Sequence, residues 1–314
     1  MRFLSIVIFI VQITFSVCAQ SSFKVVPLGV KGGVRDGNLS AYMVAPSGSD
    51  NYICLDAGSL NLGIQKAVDQ RVFSVSADFV LKNYIKGYFI SHPHLDHVSG
   101  LVINSTDDTT KNIYAFPGCL EVIKNHYFNW QSWPNFGNEG NGYLLKKYTY
   151  KALEEGIEID IEKTGMSVKS YKLSHSNPDE SAAFLVRSGD SYILYFGDTG
   201  PDEIEKTDHI QRIWKEISPL IKAGKLKGIF LEVSYPDEQP DNKLYGHLTP
   251  VWLTKEMNKL AEMAGKEKMQ NLNVVITHIK PTGNNEEKIK KQLVEKNALK
   301  LKLIIPEQGT SFNL

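Results

Sequence analysis

Apolar residues fall into short continuous runs along this chain, each closed by a turn signal. The runs occupy Phe23 to Leu28, Ser40 to Val44, Tyr52 to Leu55, Gly87 to Ser91, Ser167 to Leu173, Ala182 to Val186, Tyr192 to Phe196, Gly228 to Val233 and Asn273 to Thr277. They are too short and too evenly apolar for amphipathic helices, so they predict strands. Between them, a helical period predicts helices over Ala77 to Ile85, Leu120 to Tyr127, Ile204 to Ile221, Val251 to Ala264 and Glu286 to Lys296. Thr249-Pro250 predicts a helix start, with Thr249 as cap and Pro250 at the first helical position. Strands alternating with helices predict an α/β chain of layered sheets. The less regular stretch from Asn104 to Thr164 predicts an elaborated insertion over one face.

The N-terminus changes that picture. Met1-Arg2 precedes an apolar run from Phe3 to Val17, and Val17-Cys18-Ala19 places small residues before Gln20. This predicts a signal peptide over residues 1–19, cleaved after Ala19, and one domain over 20–314. The run is shorter than the ~20 residues of a spanning helix, so no membrane span is expected after cleavage. The expectation is therefore an exported protein, periplasmic or secreted. Cys54 and Cys119 would remain, and their pairing is open.

Composition excludes more than it assigns. The chain of 314 residues carries 35 Lys+Arg against 35 Asp+Glu. Such neutrality argues against a binder of nucleic acid polymers that relies on a broad basic face. Three cysteines without a CxxC pair exclude a zinc ribbon or a disulfide scaffold.

The chemistry concentrates in His92-Pro93-His94-Leu95-Asp96-His97, directly after an apolar run. Three imidazoles and a carboxylate in one expected loop suit zinc or a similar divalent ion. His175, Asp198 and His278 each end a candidate strand, where α/β folds gather ligand sites. His126 and His209 have no such context.

With those residues in view, the chain resembles the metallo-β-lactamase superfamily, and within it the class II 3′,5′-cyclic-nucleotide phosphodiesterases. The resemblance is carried by His92 to Ser105, by Gly32-Gly33, by Leu55-Asp56-Ala57-Gly58-Ser59 and by His126-Tyr127-Phe128-Asn129. It implies a four-layer αββα sandwich and two divalent metal ions. His92, His94 and His175 would bind the first ion, Asp96, His97 and His278 the second, with Asp198 bridging. Zinc is expected, with manganese, iron or magnesium open at one site.

Glu232 and His247 resemble the Glu/His pair of related phosphodiesterases that mature tRNA 3′ ends. The implied reaction is hydrolysis of cyclic AMP, cyclic GMP or both to the 5′-monophosphate by a hydroxide bridging the metals. Asp96 would orient or deprotonate the water, and His247, oriented by Glu232, would protonate the leaving oxygen. The rival is another binuclear hydrolase of the superfamily, a nuclease-like phosphodiesterase or a lactonase. The expected partner is a small cyclic nucleotide, and a homodimer stays open. The rings between His126 and Tyr143 are expected to pack the insertion rather than to stack on a base.

Overall fold

The computed structural model describes residues 22–176 and 180–314, so the expected signal peptide lies outside the described residues. Among the described residues, fourteen strands form two sheets. The first holds β1 (Phe23–Gly29), β2 (Ala41–Pro46), β3 (Tyr52–Leu55), β4 (Ile85–Phe89), β5 (Lys111–Ala115), β6 (Tyr148–Ala152) and β14 (Phe312–Asn313), in the order β14-β1-β2-β3-β4-β5-β6. The second holds β7 (Glu158–Ile161), β8 (Met166–Ser174), β9 (Glu180–Ser188), β10 (Ser191–Phe196), β11 (Leu226–Glu232), β12 (Asn273–Thr277) and β13 (Lys302–Ile304), in the order β13-β12-β11-β10-β9-β8-β7.

The continuous apolar runs follow from burial on both faces. Side chains alternate across a strand, so an uninterrupted run needs two apolar environments. In β10, Ile193 and Tyr195 enter the core between the sheets, while Leu194 and Phe196 face the outer helices. In β3, Ile53 and Leu55 point inward, while Tyr52 and Cys54 meet the helices outside the first sheet. The result is helices, sheet, sheet, helices.

The helix His209–Lys222 shows how the outer layers hold. It buries Ile210, Ile213, Trp214, Ile217 and Ile221, a stripe at helical spacing. Each such aliphatic side chain contributes about 1.5–3 kcal/mol when fully buried. Trp214 Nε1 donates to the buried Glu256 Oε2 at 3.0 Å, tying this helix to Pro250–Ala264.

Several expected elements differ. Asn104 to Thr164 is not an insertion, because β5 and β6 complete the first sheet and β7 edges the second. Its polar start misleads because Lys111, though buried, is ion-paired with Asp108. The helix expected over Ile204 to Ile221 breaks at Lys206, whose φ is 58°. There Asp202 accepts the backbone N–H of Ile210 and Gln211 and starts a new helix. Asn61–Asp69 is a helix that the pattern did not predict. The helices expected over Ala77 to Ile85 and Leu120 to Tyr127 both widen into single π-turns, at Val80–Tyr84 and Ile123–Tyr127. Thr249 precedes its helix as expected, but the cap comes from Asp237, which accepts the Val251 N–H at 2.7 Å.

Strand direction gathers the site. β3 to β6 run parallel, as do β10 to β13, so their C-terminal ends share an edge. Two antiparallel steps, β10 to β9 and β9 to β8, return β8 to the same direction. At the opposite edge, Ser22 and Phe23 donate their N–H to Leu314 O at 2.7 and 3.0 Å, so β1 and β14 lie side by side there. Cys54 and Cys119 are both buried free thiols. No helix among the described residues is long and apolar enough to cross a membrane.

Candidate metal centre

The stretch His92 to His97 is a loop only as far as His94. From Leu95 it is a helix, Leu95–Asn104, with His94 as the extended residue before it. Asp96 sits in the first turn, where the helix dipole favours a carboxylate. Val98 and Leu101 bury the inner face. A loop followed by a helical turn therefore projects His92, His94, Asp96 and His97 toward one point.

That point is Asp198, in the turn after β10. Its Oδ2 lies 3.8 Å from His92 Nε2, 3.4 Å from His97 Nε2, 4.0 Å from His175 Nε2, 3.8 Å from His247 Nδ1 and 3.2 Å from His278 Nε2. His94 Nδ1 lies 3.0 Å from His92 Nε2 and 3.3 Å from His175 Nε2. His278 Nε2 lies 3.0 Å from Asp96 Oδ2. The ligand atoms form one group of His92, His94 and His175, and another of Asp96, His97, Asp198 and His278, each within 4.8 Å. Every metal-ligand candidate from the sequence is thus in one cluster.

The tautomers are fixed from behind. Carboxylates only accept, so Ser91 Oγ donates to Asp56 Oδ2 at 2.9 Å and receives His92 Nδ1–H at 3.0 Å. Ser234 Oγ likewise donates to Glu232 Oε2 at 2.8 Å and receives His278 Nδ1–H at 2.9 Å. His97 Nδ1 donates to Asp56 Oδ2 at 2.8 Å, and His175 Nδ1 donates to Gly246 O at 2.8 Å. Each bond leaves the Nε2 lone pair aimed into the cluster, the arrangement of metal-binding histidines. His97 Nε2 is buried without a hydrogen-bond partner. A buried, orphaned imidazole nitrogen facing carboxylates fits a cation there.

Electrostatics agree. Burial works against charge on His97, but Asp198, Asp56 and Asp96 outweigh it and hold its pKa well above the usual value. Burial also acts against the Asp198 carboxylate, yet His278 and His97 hold its pKa well below the ordinary range. Around His97 the carboxylates thus favour positive charge, whereas burial and the neighbouring imidazoles hold His92 and His94 below the usual histidine value.

Local backbone explains the aim. Asp56 and His278, each just past a strand end, adopt φ of 54° and 55°. Non-glycine residues rarely hold this left-handed conformation, and strain of this kind collects at functional sites. A Cβ on Gly32 would meet the His278 ring at 2.2 Å, so only glycine fits beside it.

Glu232 and His247 lie against the cluster. His247 Nδ1 donates to Glu232 Oε1 at 2.8 Å, and its Nε2 accepts from Lys280 Nζ at 2.9 Å. Burial lowers the His247 pKa to about 3. Burial, reinforced by Asp198, raises the Glu232 pKa to about 7. A pocket of about 430 Å³ opens over the cluster, lined by His94, Asp96, Asp198, His247, Tyr245 and Lys280. His126 and His209 join none of these groups. Of the ring-rich segment, Phe128 and Phe136 are core residues, while Trp130 and Tyr143 are exposed.

Sequence reasoning missed Asp56, Ser234 and Lys280 as site residues. Asp56 carried a signal, since it follows a strand end as Asp198 and His278 do. Lys280 offered only its position two residues after His278.

Comparison with known proteins identifies the family. Residues 23–309 match the model of the class-II cAMP phosphodiesterases. The chain is 45% identical to a 3′,5′-cyclic-nucleotide phosphodiesterase of Aliivibrio fischeri, over 97% of this chain and 97% of that one. Unliganded yeast PDE1 superposes with a TM-score of 0.84 at 23% identity, covering 94% of this chain and all of that one, 100%. The metallo-β-lactamase fold protein YhfI of Bacillus subtilis superposes with a TM-score of 0.60 at 16% identity, covering 93% of this chain and 99% of that one. The fold is thus the four-layer metallo-β-lactamase sandwich, in an enzyme of the phosphodiester hydrolase class. The chain belongs to the class-II cyclic-nucleotide phosphodiesterase family. The match disfavours the nuclease-like and lactonase alternatives.

Proposed function

We propose that this enzyme hydrolyses cyclic AMP, cyclic GMP or both to the 5′-monophosphate, using two divalent ions. The reading rests on the convergence of five imidazoles on Asp198 Oδ2. His92, His94 and His175 would hold one ion, Asp96, His97 and His278 the other, with Asp198 between them. Imidazole-rich sets favour zinc, with manganese, iron or magnesium as alternatives at one site. Bound ions of this kind polarise phosphoryl oxygens and bring the pKa of water toward ~7.

The chain's own groups handle two protons. In the reaction a water oxygen bonds to phosphorus, the bond from phosphorus to the 3′ oxygen breaks, and a proton reaches that oxygen. Asp96 is held by the Gly33 N–H at 2.8 Å, where it would orient or deprotonate the water. His247 gives a proton to the 3′ oxygen from Nε2, while Glu232 on Nδ1 stabilises the charged ring. The free ring is neutral with Nε2 accepting from Lys280, so it first takes up a proton at Nε2 as that bond opens, and the incoming phosphodiester anion favours the charged form. Lys280 supplies a fixed positive charge at the same edge.

The test is hydrolysis of cyclic AMP and cyclic GMP with and without a chelator, alongside metal analysis. Chelator-sensitive turnover with about two ions per chain is expected. Full turnover in metal-free protein would end this reading. Export to the periplasm or medium is the accompanying proposal, supported by the sequence of residues 1–19 and tested by cell fractionation. A homodimer is tested by light scattering.

A further inference from the structure

The stretch His126-Tyr127-Phe128-Asn129 takes no part in the reaction described above, yet the segment it opens touches both ends of the ligand-bearing helix Leu95–Asn104. Before that helix, the Tyr127 hydroxyl donates to Pro93 O at 2.7 Å. After it, Trp133 Nε1 donates to the hydroxyl of Ser105, the residue that closes the helix, at 3.0 Å. We propose that Tyr127 is a positioning residue for the metal centre: its hydroxyl fixes the Pro93–His94 peptide and so aims His94 at the first ion. The proposal rests on the two-ion reading above.

The π-turn explains why Tyr127 reaches the loop. Cys119 and Ile123 are buried and stand four residues apart, the ordinary spacing on one helix face. The turn Ile123–Tyr127 then closes with the Phe128 N–H on Ile123 O at 3.0 Å, five residues back. Phe128 therefore takes the next core position, and Tyr127 stands one place aside. Its ring packs in part against the core, while its hydroxyl leaves the core for Pro93. Single π-turns of this kind recur at functional sites.

His94 depends more than its companions on its own backbone. His92 and His175 are buried, whereas His94 is exposed, so surrounding packing restrains its ring less. It also turns Nδ1 toward His92 and His175, while His92, His97, His175 and His278 turn Nε2 toward Asp198. Nδ1 lies one bond nearer the main chain than Nε2, so its place follows the peptide closely. The Pro93 carbonyl belongs to the same peptide as the His94 nitrogen. A swing of that peptide would carry the His94 ring off the cluster, and the Tyr127 hydroxyl opposes it.

Tyr127→Phe keeps the ring and removes only the hydroxyl. Competition of the wild-type protein with a chromogenic chelator should resolve two zinc-binding steps. In Tyr127→Phe one step should weaken by about tenfold or more, while the other stays within about twofold. His94→Ala should abolish the step that Tyr127→Phe weakens and spare the other, which assigns that step to the first ion. Trp133→Phe cuts the bond at the far end of the helix and should leave both steps within about twofold.

Three results overturn the positioning role while leaving the two-ion reading in place. They are two unchanged steps in Tyr127→Phe, equal weakening of both steps in Tyr127→Phe or in Trp133→Phe, and survival in His94→Ala of the step that Tyr127→Phe weakens. Fewer than two ions bound by the wild-type protein overturns the two-ion reading, and the positioning role with it.

Discussion

The two sheets furnish the metal cluster in opposite ways. The first delivers His92, His94, Asp96 and His97 from one short stretch after β4, a loop running into a helical turn. The second delivers His175, Asp198, Glu232 and His278 singly, each at the end of a different strand. In the first, local backbone sets the spacing of the ligands. In the second, spacing depends on strand register and on the packing of the sheets. A change in the first half should therefore act locally. A change at the residue where the halves meet should act on everything.

Asp198→Ala is the most severe break. Loss of the shared carboxylate should lower kcat/KM by more than about 10⁴-fold and leave less than the full metal complement. Retention of metals and activity would dissolve the idea of a single centre. His247→Ala should keep the metals and lower kcat by about 10²–10³-fold, because it removes only proton delivery. Metal loss in that variant would move His247 into the ligand set, a shift that elemental analysis detects. Asp56→Asn sharpens the contrast from the other side. It replaces an acceptor that holds both His97 and Ser91. Metal affinity should fall by about 10–100-fold, read by competition with a chromogenic chelator. Tyr195→Phe should act least on turnover, by less than about tenfold. It removes the hydroxyl that reaches from the second sheet to Asp56 Oδ2 at 2.7 Å and should lower stability by about 1.5–3 kcal/mol in urea unfolding. A larger loss of activity than in Asp56→Asn would show that cross-sheet packing, not the local loop, aims the first set of ligands.

Legibility in the sequence follows the same division. The stretch His92 to His97 is dense enough to read directly, and the doubly buried strands read as apolar runs. The scattered ligands were legible because each follows such a run. Strands with charged or mixed residues were not. Lys111 opens β5 beside Asp108, and Glu158–Ile161 alternates at a sheet edge too briefly to stand out. The break in the helix after Glu205 depends on Asp202 reaching ahead to Ile210 and Gln211, a contact that periodicity does not encode. Asp56, Ser234 and Lys280 act on other side chains, and their roles emerge only when the sheets bring them together.

The pairing of β1 with β14 has a practical corollary. β1 runs in the same direction as β3, because two antiparallel steps separate them, so Phe23 and Leu314 sit on the rim remote from Asp56. A surface tether attached at that corner leaves the opposite edge of the sheets, with its catalytic mouth, facing the solution.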